Sequence, residues 1–183
     1  MSRGRTGWAV RVGVLIVSAL VTGSAVLALG SRGDLEDAGQ RVDAAWAQLR
    51  PDLDRRYLAL GRAGDAARER LGDEPALLAE IAGGLEAWRA GGRQAVEVQA
   101  ALANRLEGFG ARLRAMVDAT PRLRSSREVT GALEDLERAD PTRSRTGYND
   151  AVDVYEGVRG GFPRRLVAGA LGFDARRTLE VPA

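Results

Sequence analysis

The chain has 183 residues, 27 basic and 25 acidic side chains and a formal net charge of +2; it holds no cysteine and no histidine, and every basic residue is arginine. Those missing types exclude disulfides, Ser–His and Cys–His nucleophiles, a phosphate loop with its lysine, and the Glu-x-x-His ligand pairs of di-metal bundles. Asp and Glu interleave with Arg, as in Asp52-Leu53-Asp54-Arg55-Arg56, so the unopposed basic face that nucleic acid requires is missing. No catalytic residue, cofactor, metal or nucleic-acid partner is expected.

The basic tail over residues 1–11 leads into Val12–Leu29, a run without one charge. As a helix it spans about 27 Å at 1.5 Å per residue, close to the hydrocarbon thickness of a bilayer. A transmembrane helix over 12–30 is therefore expected, with the lipid bilayer as its partner. Arg3, Arg5 and Arg11 precede the run and Arg32 follows it. That bias places the N-terminus in the cytoplasm and the rest outside a single-pass plasma-membrane anchor. The competing reading is a cleaved secretory signal ending at Ala28-Leu29-Gly30.

From Asp34 the periodicity is helical. Leu35, Val42, Trp46, Leu49, Leu53, Leu60, Ala67 and Leu71 recur every three or four residues, with charged residues on the other faces. Pro51 predicts a kink, and Gly72-Asp73-Glu74-Pro75 predicts a stop. A second helical run covers Pro75 to Val117, weakened by Gly83-Gly84 and by Gly91-Gly92, with a bend expected near Gly91. Thr120-Pro121 opens a third segment over Leu123–Ala139, and Asp140-Pro141-Thr142 opens a fourth over Thr142–Arg159. Gly160-Gly161-Phe162-Pro163 breaks it, leaving a short helix over Arg164–Leu171 and a frayed tail over 176–183. Period-two runs are missing, so the predicted fold is all-α. It is an N-terminal transmembrane helix followed by an antiparallel bundle of about four long helices over residues 34–175.

Tyr148, Val152 and Tyr155 share one helix face, with Phe162 and Phe173 beyond the next breaks. An aromatic stripe at helical spacing reads first as core and second as a recognition groove. Asn149 is placed to bond a neighbouring backbone or a ligand. Arg55 and Arg56, beside Asp52 and Asp54, read as a solvated face of weak ion pairs, or else as a docking point for an anionic partner.

Two regions carry a likeness. The first is Val42-Asp43-Ala44-Ala45-Trp46, with Leu49, Leu53 and Arg55-Arg56 following. The second is Tyr148-Asn149-Asp150-Ala151-Val152-Asp153-Val154-Tyr155, then Phe162-Pro163 and Gly172-Phe173. In this order behind an apolar segment, with Pro121-x-Leu123 between them, they resemble the LemA family of bacterial membrane proteins. The resemblance implies a helical bundle behind one membrane helix, with no established molecular function. The chain departs from the family pattern at Leu58-Ala59-Leu60-Gly61, Thr120, Pro141 and Glu156. Together these features predict an interaction or scaffold module at the bacterial envelope, working through a protein partner or self-association. A small or lipid-like ligand held between the helices is the alternative, and so is a secreted helical protein. A solid core favours the first, and a cavity lined by carboxylates of raised pKa the second.

Overall fold

The structure, a computed structural model, describes the backbone over residues 5–71, 76–161 and 164–180; within those, side chains are described from residue 32 onward, 164 and 167 excepted. Seven helices lie among the described residues: α1 (Arg5–Leu71), α2 (Ala76–Ala90), α3 (Val96–Ala119), α4 (Pro121–Arg124), α5 (Arg127–Arg138), α6 (Thr142–Gly160) and α7 (Arg164–Leu171). No strand occurs among those residues. The predicted span at Val12–Leu29 is helical as part of α1, but its side chains lie outside the described residues. Among the described residues no helix is long and apolar enough to cross a membrane.

Two expected helices are each two. The bend at Gly91 is a full break, where the Gly91 N–H donates to Ala87 O and the Gln94 N–H donates to Gly91 O. The segment over Leu123–Ala139 divides at Ser125-Ser126, because Ser126 is the N-cap of α5 and accepts from the Val129 N–H. A serine there satisfies a donor that the first turn leaves open, so a new helix starts more readily than the old one continues. By contrast α1 runs through Pro51 without ending. Its proline removes one helical donor while the flanking Arg50 and Asp54 remain paired one turn apart. The stop expected at Gly72–Pro75 lies outside the described residues.

The chain contacts cluster into two compact units, Met1–Gln40 with Val154–Ala175, and Arg41–Asp153 with Arg176–Ala183. In the larger unit α1 is the hub. Gly61 and Gly64 meet Leu85 and Ile81 of α2, so those two helices run antiparallel. Asp52 meets Ser144 and Trp46 meets Tyr148, which sets α6 antiparallel as well. Arg56 reaches the Leu136 carbonyl and Arg70 pairs with Glu128, giving α5 the same sense. Trp46 with Gln99 and Arg56 with Glu107 set α3 parallel to α1. Leu49, Leu53, Leu60, Leu106, Leu113 and Leu123 are fully buried between them, and burying each leucine contributes about 1.5–3 kcal/mol.

In the smaller unit Leu35, Ala38, Tyr155 and Ala168 are buried. A Cβ at Gly39 would lie 3.8 Å from the Tyr155 ring, so that glycine seats the aromatic edge. The Tyr155 hydroxyl donates to Asp174 O at 2.8 Å, and Arg159 Nε donates to Phe173 O at 3.0 Å. Gly172, at φ +74°, closes α7 in the left-handed conformation, and the Phe173 N–H returns to Ala168 O. That is the six-to-one bond of a Schellman cap, which any side chain at Gly172 would strain.

Candidate functional site

The tail expected to fray is held. Over Arg176–Glu180 it has no regular secondary structure, yet every residue is gripped within the larger unit, with residues 181–183 outside the described set. Asn104 of α3 donates from Nδ2 to Thr178 O at 3.0 Å and accepts at Oδ1 from the Glu180 N–H at 2.9 Å. Asn149 of α6 donates to Leu179 O at 3.0 Å and accepts from the Leu179 N–H at 2.8 Å. The Tyr148 hydroxyl donates to Arg177 O at 2.7 Å. Arg176 pairs with Asp43 at 3.3 Å and with Glu97, while Leu179 is buried. Two amides from different helices thus present donor and acceptor as a neighbouring strand would. The physical reason for order is that every gripped backbone group finds a partner, so the segment loses water without a penalty.

Behind the tail lies an aromatic cluster. Trp46 stands edge-on to Tyr148 at 5.2 Å and to Trp88 at 6.4 Å, and Tyr57 stands edge-on to Trp88 at 4.8 Å. Its polar atoms are all engaged. Trp88 Nε1 donates to Asp54 at 2.7 Å, Trp46 Nε1 to Gln99 at 3.3 Å, and the Tyr57 hydroxyl to Ala103 O at 3.2 Å. Arg50 lies 4.1 Å over the Trp88 ring and donates to Asp54 and Gln99, combining cation–π attraction with two charge-assisted bonds. Burial pushes the Tyr148 phenol up to about 12, partly offset by Arg176 and assisted by Glu97 and Asp43. Burial also raises Tyr57, with Glu107 adding to it.

Arg55 and Arg56 part company. Arg55 is exposed and pairs with Asp52, as a solvated face implies. Arg56 does not belong to that face: its side chain is 18% exposed and its guanidinium meets Glu107, 6% exposed, at 2.8 Å and the Leu136 carbonyl at 2.9 Å. Arg56 stands in the stripe of Leu49, Leu53 and Leu60, so the helix itself turns it inward.

Of the other predicted residues, Val152 is buried with Tyr148 in the larger unit and Tyr155 is buried in the smaller one. Phe173 is half-buried there and follows Gly172. Phe162 and Pro163 lie outside the described residues. The aromatic set is therefore core at Trp46, Tyr148 and Tyr155 and half-buried at Phe173. Asn104, Gln99, Glu107 and Arg176 carry the polar contacts and were not singled out by spacing. Most of their partners lie on elements far away in the sequence, which no local pattern reveals.

Two surface clefts of about 440 and 500 Å³ flank the bundle. The first is lined by Asp52, Arg55, Arg62, Asp135 and Arg138, the second by Arg56, Glu107, Arg114, Glu137 and Arg145 among others. Their charges are largely paired: Arg138 with Asp135, Arg114 with Glu137. The hydrogen bonds from Ser144 and Arg55 pull the Asp52 carboxyl below its ordinary range. That is the shift of a carboxylate held ionised, opposite to that of a general acid. Among the described residues no group of three acidic, histidine or cysteine side chains is placed to hold a metal ion, and every buried side-chain nitrogen and oxygen has a partner.

The model of the LemA family matches residues 45–183, more than half of the chain. No curated protein matches the sequence.

Proposed function

Since the chain belongs to the LemA family, we propose that it is a single-pass membrane-anchored scaffold whose helical bundle engages protein partners at the bacterial envelope. In this reading Val12–Leu29 is the retained anchor, the N-terminus is cytoplasmic and the bundle lies outside. The bundle catalyses nothing and holds no cofactor.

The observation that carries the reading is the internal pairing of the buried polar side chains. Among the described residues, each buried side-chain nitrogen and oxygen is bonded within the protein. Catalytic and ligand sites ordinarily keep some polar groups for their substrate and perturb carboxylates upward. Here the cleft carboxylate with a shifted titration, Asp52, is shifted down. The apolar interior is filled by Trp46, Tyr57, Trp88 and Tyr148 at ring contact. A ligand between the helices gains no support from that arrangement.

The test uses the full chain in intact bacteria. A periplasm-dependent reporter joined after Ala183, alkaline extraction of membranes and crosslinking in living cells form one set. Expected are reporter activity, resistance to extraction with Met1 retained, and a reproducible crosslinked neighbour. Extraction of the intact chain into buffer ends the anchor reading, and a mature N-terminus near Ser31 establishes the secreted one. Turnover of any substrate by the purified chain ends the scaffold reading.

A further inference from the structure

We propose that α7 is a lipid-contacting helix whose outward face, Leu166 and Ala170 flanked by Arg165, rests in the headgroup layer of the bilayer that holds the anchor. The proposal rests on the reading of Val12–Leu29 as a retained anchor and adds a second membrane contact to it.

The chain builds a lobe at the last turn of α6. It leaves that helix at Gly160-Gly161 and returns at Phe173 and Asp174, whose carbonyls accept from Arg159 Nε and from the Tyr155 hydroxyl. Between these points lies α7, joined at its start by the Arg165 N–H to Gly161 O and closed by the Phe173 N–H to Ala168 O. Ala168 is buried and fixes the side of α7 that packs inward. Leu166 and Ala170 each stand two positions from it, on the opposite side of a helix with about 3.6 residues per turn. Leu166 is accordingly 69% exposed, and Ala170 is exposed with it. Arg165 is exposed beside them and has no ion-pair partner among the described residues.

The height of the lobe says what covers this face. Within the smaller unit Gly39 seats the Tyr155 ring, and Gly39 stands about 15 Å of helix beyond Leu29, where the uncharged run ends. Because α6 runs antiparallel to α1, its end at Gly160 comes back about 7 Å toward that boundary and leaves about 8 Å. Headgroups add about 5–7 Å to each side of the hydrocarbon core. An interfacial helix sinks its apolar side about 5–10 Å into that layer. The lobe thus meets headgroups, where an outward leucine leaves water and an unpaired guanidinium finds lipid phosphate. No second protein is needed to cover the face, since the lipid already lies at that height. Two contacts in place of one also fix the rotation of α1 about its own axis.

The chain has no cysteine, so Leu166→Cys, Leu58→Cys and Leu20→Cys each give the full chain a single site for a polarity-sensitive fluorophore. Each form is placed one copy per nanodisc of equal parts phosphatidylcholine and phosphatidylglycerol. It is then quenched by iodide from the water or by a spin-labelled lipid from the bilayer. Leu20 lies in the anchor run, and Leu58 is exposed far along α1. The Leu166→Cys probe should be quenched by the lipid, and its iodide quenching should be about threefold weaker than that of the Leu58→Cys probe. Arg165→Glu should undo part of that shielding and leave the Leu20→Cys probe unchanged. If Leu166→Cys does not fold, Ala170→Cys takes the same reading on the same face. Iodide quenching equal to that of the Leu58→Cys probe, with the Leu20→Cys probe in lipid, overturns the proposal and leaves the anchor intact. Shielding without lipid quenching assigns the face to protein contact and overturns it as well. A Leu20→Cys probe open to iodide ends the anchor reading; lipid quenching at Leu166→Cys then still upholds the α7 contact, and its absence overturns both.

Discussion

Asn149 meets Leu179 through two hydrogen bonds of opposite sense, giving a proton to its carbonyl at 3.0 Å and taking one from its amide at 2.8 Å. Replacing the amide by a methyl leaves both backbone groups of the buried Leu179 without their partner. Asn149→Ala should lower stability by about 1–3 kcal/mol. It should also expose the bonds after Arg176 and Arg177 to trypsin before the rest of the chain is cut. Thermal melts and timed digestion with mass spectrometry check the two effects together; an unaltered digestion order would remove Asn149 from the grip.

Neighbouring glycines of α2 should respond with opposite signs. A Cβ at Gly83 meets nothing within 4 Å, whereas one at Gly84 falls 3.0 Å from Leu106 and 3.1 Å from Phe109. Gly83→Ala should therefore stabilise by up to about 1 kcal/mol through helix propensity alone. Gly84→Ala gains the same propensity but crowds the Leu106 and Phe109 side chains, and should lose about 1–3 kcal/mol net. Urea unfolding of the pair reads the difference directly.

Arg56 and Glu107 form a buried ion pair. Arg56→Ala strands a carboxylate that is 6% exposed, and should cost about 3–5 kcal/mol. Replacing both by apolar residues of similar volume, Arg56→Met with Glu107→Leu, should recover most of that loss, because desolvation falls away with the charges. A double-mutant cycle in denaturant measures the coupling.

Alkali should loosen the bundle through Tyr148. Its phenol titrates at about 12 in the folded chain and at about 10 when unfolded. The folded state therefore binds the proton more tightly, so this contribution is complete below about 10 and is lost as pH rises toward 12. Tyr148→Phe should flatten that part of the stability curve, at the cost of about 1 kcal/mol for the bond to Arg177 O. Tyrosinate absorbance followed alongside unfolding tests it.

Acid acts through Asp52. Ser144 and Arg55 hold its pKa down, so its contribution is present above the ordinary carboxylate value of about 4 and disappears as pH falls below it. Ser144→Ala should shrink the acid-side loss, visible as a smaller difference in melting temperature between neutral and acid buffer.

Glycine, proline and the three-to-four spacing were enough to bound α6 and α7 in the sequence, because those breaks act within a few residues. The internal ends of α4 and α5 were harder, since Ser125-Ser126 interrupts an apolar spacing that otherwise continues. Arg56 was legible in principle: its phase matches Leu53 and Leu60, and a charged residue in an apolar stripe calls for a partner. The tail was not. Arg176 and Leu179 gain their partners from residues more than seventy positions back in α3 and about thirty back in α6, a relation that exists only once the helices are assembled. Asn149 carried half the information, having been placed against some backbone without indication of which.

The parallel pair of α1 and α3 presents leucine and alanine at spacings that repeat each turn, so sliding one helix about 5.4 Å along the other leaves the apolar match almost unchanged. Glu107 ends that degeneracy. One turn of slippage would bring it beside Leu53 or Leu60 instead of Arg56, with no counter-charge at hand. The salt link thus works as an alignment pin beside the Gln99 bonds to Trp46 and Arg50, and the apolar double replacement, however stable, should leave those bonds alone to hold the axial setting.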